Sequence, residues 1–222
     1  MKTIRYELAD GIATITFDEE GSPVNTMCAQ WQADLTEVTA QVMRDCADIK
    51  GIILASAKST FFAGADLKGT MRLQASDAAH VFAEIEQTKK NFRTLETLGV
   101  PVVSCINGTA LGGGLELAAL CDIRIGGRNS RYGIPVNRIG LTVDHQELGD
   151  LVRVIGAARV LEILLEGNIF GADEAMSKGL LSRIVDDERV AEQAYATARR
   201  IAAAAPLVNR WHKRFVGQLR EG

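Results

Sequence analysis

Long apolar runs, paired cysteines and an excess of positive charge are all missing from this sequence of 222 residues. No uncharged apolar run is long enough to span a bilayer, and the N-terminus lacks the apolar core of a signal peptide. The four cysteines show no CxxC spacing, which argues against a zinc site or a disulfide framework. We therefore expect no membrane contact, no metal and a reducing cytoplasmic location.

The formal net charge of −3 gives nucleic-acid binding no general support. Basic side chains nevertheless cluster near the C-terminus, and two interpretations stay open. They form the solvated face of a helix, or they form a basic patch that binds RNA. The cluster consists of Arg199, Arg200, Arg210, Lys213, Arg214 and Arg220.

A run of glycines, Gly112 to Gly114, lies between a predicted strand and a predicted helix. The G-x-G-x-x-G spacing and the acidic ribose partner of a dinucleotide site are both absent. No Walker A lysine follows the glycines either. A nicotinamide cofactor and a nucleoside triphosphatase activity are therefore not expected.

Strands alternate with helices along most of the chain, which predicts an α/β fold with parallel pairing. After Arg159 the pattern becomes mostly helical, with Pro206 separating the last two helices. We expect an α/β core over residues 1–158 and a helical region over residues 159–222, packed on that core or on another subunit. Ser76 is the predicted N-cap of a helix over residues 76–98. The other predicted helices are 27–46, 114–120, 160–166, 172–178, 188–205 and 207–219, and the predicted strands are 4–8, 12–17, 51–55, 100–106 and 122–125.

Two segments rich in small residues carry the functional signal, residues 61–68 and residues 107–117. Each could leave a backbone N–H open to a ligand oxygen, and two convergent N–H donors suit a thioester oxygen that becomes an enolate. The second segment leads into an apolar helix that holds Glu116 in its first turn. Glu116 is either a carboxylate favoured by the helix dipole or an acid–base group beside the thioester.

These segments resemble those of the enoyl-CoA hydratase/isomerase (crotonase) superfamily, and the resemblance runs from about Ile4 to the C-terminus. It implies a spiral of ββα units followed by helices, and a homotrimer or a hexamer. Members usually continue with a further helix that covers the acyl pocket or a neighbour's CoA site, so the protein is naturally short or the sequence is incomplete. The motifs that carry the resemblance are Ala63-Gly64-Ala65-Asp66-Leu67-Lys68, Asn107-Gly108-Thr109-Ala110-Leu111-Gly112-Gly113-Gly114-Leu115-Glu116-Leu117, Cys121-Asp122-Ile123-Arg124 and Ala172-Asp173-Glu174-Ala175-Met176-Ser177-Lys178-Gly179-Leu180-Leu181-Ser182.

The resemblance also assigns roles to residues. The N–H groups of Ala65 and Gly113 would form the oxyanion hole for the thioester carbonyl, and Glu116 would be the acid–base group. The substrate is an acyl-CoA, and the role needs neither a metal nor a redox cofactor. The residues implied to lie against the CoA or acyl part are Ala63, Asp66, Leu67, Lys68 and Gly112.

The sequence departs from the family pattern at Val136, which occupies the place of a second glutamate that hydratases use. Valine can neither give nor take a proton. Asp144 or His145 could replace it, since histidine titrates near neutral pH. Alternatively, Asp144 caps a helix and forms a capping box with Glu147.

Several functions therefore stay open. The leading one is an enoyl-CoA hydratase or isomerase of fatty acid metabolism, and the others are a different enolate reaction such as decarboxylation, or acyl-CoA binding without catalysis. The acyl group is not identified by the sequence. Apolar residues near the first segment would line an acyl pocket or belong to the core: Phe61, Phe62, Met71 and Leu73.

Overall fold

A computed structural model describes residues 1–72 and 74–221, so Leu73 lies outside the described residues. The strands are β1 Ile4–Ala9, β2 Ile12–Phe17, β3 Gly51–Ser56, β4 Val102–Ile106, β5 Thr109–Leu111, β6 Ile123–Gly127, β7 Arg131–Gly133, β8 Phe170–Gly171 and β9 Arg183–Val185. The helices are α1 Ala29–Arg44, α2 Leu67–Thr70, α3 Ala78–Thr97, α4 Gly113–Ala119, α5 His145–Ile155, α6 Ala157–Glu166, α7 Ala172–Ser177, α8 Val190–Ala203 and α9 Pro206–Glu221. Short 3₁₀ turns are Ala75–Asp77, Pro135–Ile139 and Asp187–Arg189.

The larger sheet has the strand order β1-β2-β3-β4-β6-β9. Strands β1 and β2 form an antiparallel hairpin, and each later pair is parallel, as predicted. Both faces of the sheet are covered, which a parallel sheet requires. In β3, Ile52 and Leu54 point into the main core, whereas Ile53 points to the opposite face and packs with Ala194 and Ala198 of α8. Helix α8 of the C-terminal region thus packs on the α/β core, and β9 of the same region is the last strand of this sheet.

The smaller sheet, in the order β5-β7-β8, carries the second predicted segment. Sequence reasoning missed these strands because each has only two or three residues. An isolated bridge between Phe62 and Ala110 adds the first segment beside β5, and a second bridge joins Met27 to Ala65. Backbone pairing therefore places residues 61–65 between the N-terminal region and β5.

Two details of the helices differ from the predictions. Ser76 is not the N-cap of α3: it lies within the 3₁₀ turn Ala75–Asp77, and Asp77 occupies the cap position without a capping bond from its side chain. The C-terminal basic cluster is not simply a solvated face. The Arg210 guanidinium donates to the carbonyls of Cys46 (2.5 Å) and Ile49 (2.9 Å), and the Lys213 ammonium donates to the Val100 carbonyl (3.0 Å). These bonds fasten α9 to the core.

Two of the cysteines lie in the core, and two of the histidines lie at the surface. Cys105 and Cys121 are buried and pack with apolar neighbours, and burial raises the pKa of the Cys105 thiol to about 11. His80 and His212 lie exposed on helices. Within the described ranges, no helix has the length and apolar character needed to cross a membrane.

A buried carboxylate connects the start of β1 with α1. Asp34 is 3% exposed and accepts hydrogen bonds from the Thr3 amide (2.7 Å), the Thr3 hydroxyl (2.8 Å) and the Lys2 amide (2.7 Å). A further bond comes from the Gln30 side chain at 2.9 Å. Burial by itself would raise the pKa of Asp34, but these bonds outweigh it and lower the pKa.

We predict that Asp34→Asn lowers the free energy of unfolding by about 1–3 kcal/mol at neutral pH, because asparagine cannot satisfy donors on both sides of the group. Since the pKa is lower in the folded protein than the ordinary 3.8, the stabilisation is complete above that value and is lost as the pH falls below it. Urea unfolding of both proteins at several pH values measures the effect. The exposed Asp48→Asn is the matched control, and an equal loss in both variants would contradict the prediction.

Candidate functional site

The two small-residue segments lie in direct backbone contact. The Phe62 amide donates to the Thr109 carbonyl (3.0 Å), and the Leu111 amide donates to the Phe62 carbonyl (3.0 Å). A Cβ on Gly64 would lie 2.9 Å from the Leu111 carbonyl oxygen and 3.6 Å from the Gly113 nitrogen. With φ at +91°, Gly64 also has a backbone conformation that disfavours side chains. A glycine is therefore needed where the two chains meet.

The predicted donors flank this contact. In the described part of the chain, the N–H groups of Ala65 and Gly113 have no hydrogen-bond acceptor, whereas the amides of Ala63 and Gly112 donate to the carbonyls of Asn25 and Gly133 (both 2.9 Å). Ala65 is exposed. Gly113 is buried and is the first residue of α4, where an amide has no partner within the helix.

Each glycine of the run has its own reason. Gly112 has φ at +50°, which lets the chain turn from β5 into α4. A Cβ on Gly113 would overlap the thioether of Met27, whose amide donates to the Gly64 carbonyl (2.9 Å). A Cβ on Gly114 would overlap the Phe62 carbonyl. A positive φ therefore explains the glycine at position 112, and close approach of other parts of the chain explains those at positions 113 and 114.

Glu116 lies one helical turn after Gly113, a spacing that places the two on one face of α4. It is 9% exposed. It opens onto a cavity of about 440 Å³ between α3, α4 and α5. The residues that line this cavity are Glu86, Lys89, Lys90, Phe92, Arg93, Glu96, Glu116, Gly149, Asp150 and Arg153.

Ion pairs within α3, within α5 and between these two helices line the cavity. Glu96 accepts from Arg93 (2.9 Å) and from Arg153 (2.7 Å), and Arg153 also pairs with Asp150. Lys89 pairs with Glu86 at 3.1 Å. Sequence reasoning missed these residues because it followed only the apolar face of α3. The available signal was the charged face, which recurs every three or four residues.

Asp144 precedes α5 and does not line the Glu116 cavity among the described residues. Its carboxylate accepts from Lys89 at 2.7 Å and contacts His145 Nδ1 at 2.8 Å. The hydrogen bond to Asp144 raises the pKa of Lys89. The helix that follows Asp144 is confirmed, but the Glu147 side chain of the expected capping box lies outside the described part. A role for Asp144 or His145 in proton transfer stays a prediction.

Three of the residues predicted to contact CoA, Asp66, Leu67 and Lys68, directly follow Ala65 in the chain. Asp66 caps α2 by accepting from the Gly69 amide at 3.0 Å, and Leu67 and Lys68 are exposed. The sequence left open whether the apolar residues near the first segment line an acyl pocket or belong to the core. Phe61 and Phe62 are fully buried in the core, where both pack edge-on against Phe17. Met71 is 86% exposed.

Val136 lies in the 3₁₀ turn Pro135–Ile139 and packs, half-buried, against the main core. It does not line the Glu116 cavity in the described part of the chain. Among the described residues there is also no group of three or more His, Cys, Asp or Glu side chains that could hold a metal ion.

Comparison with known proteins agrees with this architecture. A sequence profile of the enoyl-CoA hydratase/isomerase family matches residues 7–219. An enoyl-CoA hydratase/carnithine racemase from Magnetospirillum magneticum is 37% identical, with a TM-score of 0.91, over 99% of this chain and 81% of that one.

Two further structures are similar at lower identity. A putative enoyl-CoA hydratase/isomerase family protein from Hyphomonas neptunium is 28% identical, with a TM-score of 0.88, over 99% of this chain and 83% of that one. An enoyl-CoA hydratase from Bacillus anthracis is 27% identical, with a TM-score of 0.86, over 97% of this chain and 82% of that one. The predicted crotonase-like fold is confirmed, and the chain belongs to the enoyl-CoA hydratase/isomerase family.

Proposed function

We propose that this protein binds an acyl-CoA thioester and stabilises its enolate. The observation that carries the proposal is the close contact of Gly64 with the Leu111 carbonyl and the Gly113 nitrogen, beside which the N–H groups of Ala65 and Gly113 have no acceptor among the described residues. A thioester oxygen that gains negative charge would accept from both. Removing one such donor typically costs about 3–4 kcal/mol of transition-state stabilisation.

Glu116 is the proposed acid–base group. It shares a helix face with Gly113, so a thioester held at the junction would place its Cα and Cβ near the Glu116 carboxylate. The carboxylate would take a proton from carbon and return it to carbon, while the electron pair resides on the thioester oxygen. This step draws on no metal and no redox cofactor, and Ala63, Asp66, Leu67, Lys68 and Gly112 would bind the CoA and acyl part.

The exact reaction depends on the missing second glutamate. Water addition needs one acid–base group that acts on the water and a second that acts on the carbon atom. Val136 can fill neither role. Isomerisation or decarboxylation, in which Glu116 acts alone, is therefore proposed beside hydration.

A second candidate is acyl-CoA binding without turnover, and Val136 favours it. Calorimetric titration with CoA thioesters, run beside turnover assays over several 2-enoyl and 3-enoyl chains, separates the two. Tight binding with no turnover of any thioester selects the binding protein.

We also infer a homotrimer or hexamer acting in cytoplasmic fatty acid metabolism. Exposed apolar side chains on α9 support assembly: Leu207, Trp211 and Phe215 are 72%, 49% and 53% exposed. Light scattering on the purified chain measures the mass, and a monomer would contradict the assembly.

Glu116→Gln should lower kcat by about 10²- to 10⁴-fold, because the amide keeps the shape of the side chain but cannot transfer the proton. The thioester Kd should change little. Turnover of the best substrate and calorimetric binding measure the two effects. Glu188→Gln, an exposed glutamate in the turn before α8, is the control; unchanged turnover in Glu116→Gln would refute the assignment.

Gly113→Ala should lower kcat/KM at least tenfold, since the new Cβ displaces the Met27 thioether toward the donor junction. Adding Met27→Ala to this variant should restore part of the loss, because the overlap is then removed. Gly217→Ala is the control, as a Cβ there meets nothing within 4 Å. Equal losses in the single and double variants would show that the Met27 contact is not the cause.

A further inference from the structure

The cavity beside Glu116 is lined mainly by side chains that carry a charge at the end of an aliphatic stem. Apart from Phe92 and Gly149, every residue that lines it in the described part of the chain carries a charge. An alkyl group placed there would take water from these charges and return no hydrogen bond. An acyl group with its own polar end would avoid this cost.

Arg153 offers the most definite binding group. Both acids that pair with it, Glu96 and Asp150, contact the same atom, Nη2. Its Nε and Nη1 atoms have no acceptor among the described residues. The side chain is 27% exposed and lines the cavity, and the ion pairs hold it in place.

Gly149 keeps the approach to Arg153 open. It lines the cavity within α5, and a Cβ there would lie 3.6 Å from Nη1 of Arg153. Glycine weakens a helix interior relative to alanine, so its presence is explained if a ligand needs the space. Lys90 lies on the same cavity wall and forms no ion pair with a described carboxylate.

We propose that the acyl group of the substrate ends in an ionised carboxylate, which binds Nη1 of Arg153 beside Gly149, with the Lys90 ammonium as a second cation on the cavity wall. This inference rests on the proposed function, since it names the substrate class of the same site. The volume of about 440 Å³ fits a short dicarboxylic acid held as a monothioester.

The test compares two non-reacting thioesters of equal chain length by calorimetry. Glutaryl-CoA ends in a carboxylate and pentanoyl-CoA ends in a methyl group. The native protein should bind glutaryl-CoA about ten- to a hundredfold more tightly, as a charge-assisted hydrogen bond allows. Turnover of glutaconyl-CoA against 2-pentenoyl-CoA should show a preference in the same direction.

In Arg153→Gln the ratio of the two Kd values should fall to about one, and Arg153→Lys should keep part of the preference. Arg189→Gln, which breaks a surface pair with Glu192, is the control. Circular dichroism verifies the fold of each variant, and the native ratio tests the proposal even where a variant does not fold.

Equal Kd values in the native protein would overturn the carboxylate inference and leave the proposed function standing. Tighter binding of a trimethylammonium-ended chain than of glutaryl-CoA would overturn it too, since the acidic wall residues would then set specificity. If neither thioester binds, the proposed function fails and the inference fails with it.

Discussion

The contact between residues 61–65 and residues 109–113 is the constraint on which the site depends. It exists because Gly64 has no side chain to keep the Leu111 carbonyl and the Gly113 nitrogen away, and because Phe62 pairs with β5 on both sides of Ala110. Phe61 and Phe62 are buried in the core and anchor the first segment there. The core thereby fixes the positions of the Ala65 and Gly113 amides. Donors held ready in this way need no rearrangement when charge develops on a ligand.

The second level of organisation is electrostatic. Helices α3 and α5 are joined by the pairs Lys89–Asp144 and Arg153–Glu96, both 2.7 Å, on either side of the space that Glu116 faces. Partly buried pairs of this kind cost desolvation and give modest net stability. We propose that the same arrangement restricts the acyl groups that the cavity accepts.

Much of the secondary structure can be predicted from the sequence, but the contacts between distant residues cannot. The parallel strands and a short helix at the end of the glycine run are encoded by local periodicity and glycines, and the structure confirms both, with the helix beginning at Gly113, one residue earlier than predicted. The pairs between α3 and α5 join residues more than fifty positions apart, so no local pattern reveals them. Likewise, the basic cluster at the C-terminus reads as surface until the fold brings Arg210 to the carbonyls of Cys46 and Ile49. Local secondary structure can be predicted from the sequence, whereas charged contacts between distant elements can be identified only once the fold is known.

The amides of Ala65 and Gly113 are proposed to donate to a thioester oxygen. Infrared difference spectroscopy with an acyl-CoA labelled with ¹³C at the thioester carbonyl tests it directly, because hydrogen bonding to that oxygen weakens the C=O bond. We predict that the carbonyl band of the bound ligand shifts to lower frequency than in water. A carbonyl band that stays at its solution frequency in the saturated complex would contradict the account.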